Sequence, residues 1–416
     1  MCANRQKRGR VWSSGRYRYV RMRWRVLFAM IDWLGAKLAP RSASAQCAPR
    51  RILIIQLDHL GDAIISRPMI VALQAAWPLA SIDVYCGAWT QDFFARLSEI
   101  EQIHVSRFNR FARDWRRMLL AWLPAYFYQA LAMRGRYDMA IDVRGEFPNA
   151  LWMCLAKIPR RVGWDAGGGG FLLTDSPCYV PERAEHLSRR ALLSAIGVEI
   201  APRSELNFEP GAAARSAIAQ RLGEVWRPLV VAHIGAGTEA KRWSARRWMQ
   251  WAERTALDSD ARVILVGARS ECAIAHEIMA GLTPAARASV EDWTGELTLS
   301  ELAALVAKCD VYVGADSGPA HLAALVGAPS VVLFSGTNLA AQWRPHSNGA
   351  PVTVLRESVA CSPCHHTRCP LADHPCMQHT AFEVWQAVDC LLCDSKSRSE
   401  CEPIEIKQDE QLGATR

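Results

Sequence analysis

Residues 51–57 read Arg-Ile-Leu-Ile-Ile-Gln-Leu, and a β-rich apolar run of that kind predicts a strand covered on both faces, as in a parallel sheet. Polar residues interrupt it at Asp58-His59-Leu60-Gly61-Asp62, after which residues 63–77 read as a helix containing Pro68. Residues 81–85 and 139–143 repeat the strand pattern, the latter just before Arg144-Gly145-Glu146. The rear half follows the same plan. Apolar runs at 229–234, 262–266, 310–314 and 329–334 alternate with helical patterns, among them one that carries Trp248, Trp251 and Ala252 on one side and another at 299–307. This alternation predicts an α/β chain with a doubly wound parallel sheet in each half. With 416 residues, half of them hydrophobic, two cores of ordinary size form without disulfide staples.

Two strand-to-helix junctions carry the candidate chemistry. In the rear half, Ser317 and Gly318 are good N-cap types and Pro319 suits the first helical position, where its missing N–H costs nothing. The helix runs from His321 to Val326 and stops at Gly327. Free amides and the positive end of a helix dipole favour an anion such as phosphate there, although an ordinary junction without ligand has the same spacing. Gly235-Ala236-Gly237-Thr238 is a loop of small residues that lets backbone approach a ligand, and Lys241 just after it is either a solvated charge or a mobile ammonium for a diphosphate. In the front half, a carboxylate at a helix N-terminus is stabilised as the anion. Asp62 is therefore expected to be ionised near neutral pH, as a simple cap or as a proton acceptor. There is no GxGxxG with an acidic ribose binder and no Walker loop, which disfavours a dinucleotide dehydrogenase or a P-loop enzyme.

Taken in order, Ile52-Leu53-Ile54-Ile55 with Leu60-Gly61-Asp62, the run 137–145 (Tyr-Asp-Met-Ala-Ile-Asp-Val-Arg-Gly), Arg160-Arg161-Val162-Gly163-Trp164, Gly235-Ala236-Gly237, Lys241-Arg242-Trp243 and the run 314–321 resemble glycosyltransferase family 9. These are the ADP-heptose:lipopolysaccharide heptosyltransferases, and the resemblance spans residues 50–388. It implies a GT-B fold, two Rossmann-like doubly wound domains facing a central cleft, with the acceptor on the front domain and the nucleotide-sugar on the rear one. It also implies an inverting, metal-independent and cofactor-free transfer of heptose from ADP-L-glycero-D-manno-heptose to a lipopolysaccharide inner-core acceptor, Kdo or heptose on lipid A. By the same resemblance Asp62 matches the general base and Lys241 the lysine on the donor diphosphate. Asp316, Ser317, Gly318, Pro319 and His321 match the loop and helix start that hold the donor, beside Gly235, Gly237 and Thr238, and Glu271 is placed to reach a ribose.

One departure from the family pattern is Asp58-His59, where members often carry small or hydroxylated residues. Whether Asp58 repels Asp62, raises its pKa or binds an acceptor hydroxyl stays open. No Glu lies between Glu301 and Glu357, where retaining GT-B enzymes carry a paired-glutamate motif, so inversion is expected. A family member with another sugar or acceptor glycan and a catalytically silent, membrane-attached binding protein remain alternatives. The expected organisation is a basic amphipathic extension at 1–48, an acceptor-side domain at 49–210, a nucleotide-sugar domain at 226–393 with a Cys-rich loop, and a disordered tail at 394–416.

Charge changes the picture only at the front. The chain is +8 overall, but twelve of its basic residues against a single acid, Asp32, fall in residues 1–50, leaving the rest slightly negative. Within this leader Val20, Trp24, Leu27, Ile31, Leu34 and Leu38 recur at helical spacing. Such a helix can lie on an anionic membrane surface through residues 1–46, pack onto the body, or serve as a nucleic-acid arm; the body lacks basic recognition modules, so no nucleic acid is expected. Interruption by Asp32 excludes a membrane span and argues against a signal peptide. These features predict a cytoplasmic enzyme, peripheral on the inner face of the inner membrane.

Seven of the fourteen cysteines fall between Cys361 and Cys401. Cys361, Cys364, Cys369 and Cys376 are read as structural thiols ahead of a four-thiolate zinc site, since their spacing is unlike paired CxxC knuckles. Gly167 to Gly170 are expected to form a flexible loop.

Overall fold

The computed structural model describes residues 22–38, 47–106, 123–200, 208–224, 228–347 and 349–396. In the front half β1 (Arg51–Gln56), β2 (Ser81–Gly87), β3 (Gln102–Ser106), β4 (Met139–Asp142) and β5 (Arg160–Gly163) form one sheet in the order β3-β2-β1-β4-β5. In the rear half β6 (Leu229–His233), β7 (Arg262–Val266), β8 (Val290–Asp292), β9 (Val311–Ala315), β10 (Ser330–Phe334) and β11 (Val352–Arg356) form a second, ordered β11-β10-β9-β6-β7-β8. All of these pairings are parallel. Both sheets are doubly wound, and each has one crevice where the strand order reverses, between β1 and β4 and between β6 and β9.

Alternating side chains of each sheet feed two cores. Ile52, Ile54, Ile82 and Val84 pack with Met69, Ile70 and Leu73, while Leu53, Ile55 and Tyr85 pack with Tyr126 and Trp152. In the rear sheet Val230, Ala232, Val263 and Leu265 meet Trp248, Trp251 and Ala252, the side of the helix Ala245–Asp258 that the sequence pattern marks. Leu229 and Val231 turn to the opposite face, with Ile218 and Ala323.

Three expectations change. The helix expected at 63–77 is two, α2 (Leu60–Ile65) and α3 (Arg67–Ala76), broken at Ser66. In a continuous helix the ring of Pro68 would collide with the Ile64 carbonyl; in the first turn of α3 it displaces no hydrogen bond. The glycine run is not a free loop: residues 167–169 are buried, and the Gly169 N–H donates to Asp32 Oδ1 at 2.7 Å. Asp32 belongs to α1 (Met22–Leu38), which seats Phe28, Ala29 and Asp32 on the front domain, with Phe28 5.7 Å from the Phe147 ring. The expected stripe lies largely outward. Trp24, Leu27, Leu34 and Leu38 are exposed, and Val20 lies outside the described residues, as does much of residues 1–46. At the other end the helix Ala381–Lys396 runs past position 394, and the tail from 397 lies outside the described residues. No helix among the described residues is long and apolar enough to cross a membrane.

The two domains touch through α2 and α6 (Gly318–Leu325), counting α4 as Glu185–Ser194 and α5 as Ala245–Asp258. Leu322 and Leu325 enter the core of the front domain beside Ala63 and Ile64. The approach needs two glycines. A Cβ on Gly61 would lie 3.0 Å from His321 Cδ2, and one on Gly318 would lie 3.1 Å from Leu60 Cβ.

Candidate functional site: a charged cleft between two sheets

Both candidate stretches follow strands that flank the crevices, at their carboxyl ends, where open α/β sheets bind ligands. On the front side β1 delivers Asp58 and Asp62, and β4 delivers Arg144 and Glu146. Asp62, in the first turn of α2, is buried, with Oδ1 3.7 Å from Arg189 Nη2. Loss of hydration in this setting, followed by the neighbouring charge of Asp58, pushes its pKa from 3.8 up to about 7, against the opposing pull of Arg189 and Arg144. The dipole of a six-residue helix does not offset that, so Asp62 is far less acidic than its position in the sequence suggests. At neutral pH it is poised to take or hold a proton.

Asp58 is also buried, and it pairs with Arg144 Nη1. Arg144 Nε donates to Glu146 Oε1 at 2.7 Å, and the Asp142 carboxylate accepts from the backbone N–H groups of Arg144 and Glu146. Asp58 therefore acts on Asp62 through space while its own charge is met by a guanidinium.

On the rear side β6 leads into the glycine loop and β9 into α6. Lys241 Nζ donates to Asp316 Oδ2 at 2.7 Å and to the Asp316 carbonyl at 3.0 Å, so Lys241 is tied down rather than solvated. Asn338 Nδ2 donates to the same carboxylate oxygen at 3.0 Å. Ser317 is the N-cap of α6 but makes no side-chain cap; its hydroxyl donates to the Ala315 carbonyl. Pro319 occupies the first turn. His321 is buried against α2, and burial pushes its pKa down to about 4, so its imidazole is neutral at pH 7.

Gly235 and Gly237 differ in what surrounds them. A Cβ on Gly235 would overlap the Glu271 carboxylate, whereas one on Gly237 would meet no atom within 4 Å. Glu271 is buried and its carboxylate accepts from the N–H groups of Ala236 (3.0 Å) and Ala268 (2.7 Å). It fastens the loop from beneath, each carboxylate oxygen accepting one of these backbone N–H groups. The Thr238 hydroxyl oxygen is shielded from solvent and has no protein partner. The Cys-rich segment braces the same turn: Ala240 N–H donates to the Thr367 carbonyl, and His374 Nε2 contacts the Ala240 carbonyl at 3.0 Å. Cys361, Cys364 and Cys369 lie near enough to Cys376 to reinforce the upward push that burial gives its thiol. Among the described residues no group of three or more His, Cys, Asp or Glu side chains is arranged to hold a metal ion.

The structure thus brings Lys241, Asp316 and the α6 start together, and sets His321 directly against the turn before Asp62. Sequence reasoning missed Asn338, Glu185 and Arg189. Asn338 follows β10 with no motif around it, and Glu185 and Arg189 read as a routine i, i+4 surface pair on an amphipathic helix. Their burial is a tertiary fact.

The family profile described as "Glycosyltransferase family 9 (heptosyltransferase)" matches residues 127–374. Lipooligosaccharide heptosyltransferase 2 of Haemophilus influenzae is 27% identical over 301 residues, spanning 69% of this chain and 84% of that protein. Lipopolysaccharide heptosyltransferase 2 of Escherichia coli is 27% identical over 297 residues, 68% of this chain and 82% of its own length. The solved structure of E. coli ADP-heptose lps heptosyltransferase II superposes with a TM-score of 0.65 at 22% identity, covering 83% of this chain and 100% of that one. That likeness concerns the fold, which is GT-B in both.

Proposed function

The chain belongs to glycosyltransferase family 9, and from that membership we propose that it moves heptose from ADP-L-glycero-D-manno-heptose to a lipopolysaccharide inner-core acceptor, with inversion and without a metal ion. The observation that carries the reading is the meeting of two unlike walls. A buried carboxylate whose pKa is about 7 stands on the acceptor-side domain, and the Lys241–Asp316 pair with the α6 start stands on the donor-side domain, joined through the contact of Gly61 with His321.

In this reading Asp62 accepts the proton of the acceptor hydroxyl, whose oxygen attacks the anomeric carbon from the face opposite the departing ADP. Opposed base and leaving group give inversion. Lys241 turns from Asp316 toward the diphosphate, and the first amides of α6 add their partial charge. Asn338 keeps Asp316 hydrogen-bonded while Lys241 is engaged. The open side of Gly237 and the unpartnered Thr238 hydroxyl lie next to this path and suit close approach of the nucleotide.

On the same reading the enzyme works at the cytoplasmic face of the inner membrane, where a lipid-linked glycan resides. The support is α1, which keeps Trp24, Leu27, Met30, Trp33, Leu34 and Leu38 exposed while its other side is fastened to the front domain, next to the most basic stretch of the sequence. Apolar insertion and attraction to anionic lipid act together in such a helix.

Product analysis tests the reading. Purified enzyme is given ADP-heptose or other nucleotide-sugars with truncated lipopolysaccharide acceptors, with and without EDTA. Transfer of heptose with inverted anomeric configuration, unaffected by the chelator, is expected. Transfer from another donor would move the chain to a different specificity within the family, and absence of any transfer would favour a binding role.

A further inference from the structure

The two domains also meet at a second seam, in the first turn of α4. Glu185 Oε1 accepts from Gln342 Nε2 of the donor-side domain at 2.9 Å, and the His186 ring stacks on His346 with centroids 4.2 Å apart and planes 4° from parallel. The other oxygen of Glu185, Oε2, accepts from Arg189 Nη1 at 2.8 Å, and Arg189 Nη2 faces Asp62 Oδ1 at 3.7 Å. A continuous line of polar contacts therefore runs from the donor-side domain to the carboxylate read above as the base. Arg189 is 3% exposed, and its pose is fixed further by Ser66 Oγ at 3.2 Å from Nε and the Val143 carbonyl at 3.4 Å from Nη1.

We propose that Arg189 is a positioning residue for Asp62, and that Gln342 sets its pose through Glu185, so that the base is completed only when the two domains are together at this seam. This rests on reading Asp62 as the base.

Charge balance is what makes the seam matter. Asp62 faces Asp58 from its own loop, Arg144 from the end of β4, and Glu185 and Arg189 from α4. Across the domain contact His321, itself within reach of Asp316 and Lys241, faces the preceding Gly61. Arg144 is already held by Asp58 and Glu146. Arg189 is shared between Glu185 and Asp62, and what Glu185 draws to itself Asp62 loses. A Gln342 amide on Oε1 holds Glu185 to single contact with Arg189 through Oε2. Without it Glu185 can take the guanidinium with both oxygens, as carboxylates readily do. The stacked histidines do not oppose closure, because burial pushes His186 down to about 4 and His346 downward as well, with Arg190 adding to both. Two neutral rings meet there at neutral pH.

The test is the pH dependence of kcat for heptose transfer by the full chain and its variants, with a melting curve for each. In Glu185→Gln, Arg189 acts on Asp62 alone, and the acidic limb is expected to fall by about 1 pH unit. In Arg189→Met the limb is expected to rise by about 1 unit, with partial return in Arg189→Lys. Gln342→Ala is expected to raise the limb by less. Opposite shifts from Glu185→Gln and Arg189→Met are not produced by general loosening of the fold. If Arg189→Met does not fold, the isosteric Glu185→Gln and the half-buried Gln342→Ala still decide. Limbs that stay in place, or that move the same way in Glu185→Gln and Gln342→Ala, overturn the relay. Wild-type turnover by Asp62→Asn would instead overturn the base reading, so the two failures are distinguishable.

Discussion

On the donor side the groups that meet come from three strand ends of one sheet: Lys241 after β6, Asp316 after β9 and Asn338 after β10, held in one short set of hydrogen bonds. On the acceptor side they come from positions 58 to 189, on two strand ends and a distant helix, and they are charged and mostly buried. In the proposed function the donor wall neutralises an anion that arrives from outside. On the acceptor side, burial and then the charge of Asp58 hold the Asp62 carboxyl well above its ordinary range, which in the proposed function makes it ready to accept a proton. A site that binds can be built from local turns, while a site that tunes a proton needs charges balanced from several directions.

The largest effect that would break this contrast concerns Asp62. Asp62→Asn is expected to reduce transfer by ~10²–10⁴-fold while calorimetric titration with ADP is unchanged; weakened ADP binding would mean that the two walls are not separate in function. For the wild type, kcat is expected to decline as pH falls through about 7.

Stability sharpens the same point. The folded-state pKa of Asp62 lies above its ordinary value of 3.8, so the folded protein holds a proton that the unfolded chain releases. The cost of the ionised, buried carboxylate is absent below about pH 3.8 and complete above about pH 7. Asp62→Asn should therefore be more stable than wild type at pH 8, by up to ~4 kcal/mol, and no more stable near pH 4. Denaturant unfolding at the two pH values checks this, and an equal effect at both would sink the charge argument.

Lys241→Ala should weaken ADP binding by about 10–100-fold, the worth of one charge-assisted hydrogen bond, with turnover at saturating donor affected less than in Asp62→Asn. An unchanged titration would show that Lys241 serves only Asp316. The smallest effect is steric. Gly61→Ala places a methyl 3.0 Å from His321 Cδ2 and should cost about 1 kcal/mol, read as a lower melting temperature. No change would indicate that α2 and α6 do not press together in solution.

The contrast between the walls also explains what can be read in advance. Ser317, Gly318 and Pro319 announce a helix start by residue type alone, and β6, β7, β9 and β10 are continuous apolar runs, so the strands and the helix start of the donor wall are legible, though not the contacts of Lys241 and Asn338 with Asp316. The break at Ser66 is readable in principle, since Pro68 cannot sit in a helix interior. The role of Glu271 is not, because nothing local says that its carboxylate folds back under Gly235. The glycine run looks free because its partner, Asp32, is 137 residues away.

By itself the sequence determined the two parallel sheets, the junctions that carry Asp62 and Asp316, and the amphipathic leader, because strand patterning, capping chemistry and periodicity are properties of neighbours along the chain. Tertiary structure alone decided that Lys241 is paired, that α1 turns one face inward, and that Asp62 sits between Asp58 and Arg189. Proton affinity depends on hydration and on charges a few ångströms away in space, and the residues that set both for Asp62 are scattered across more than a hundred positions of sequence.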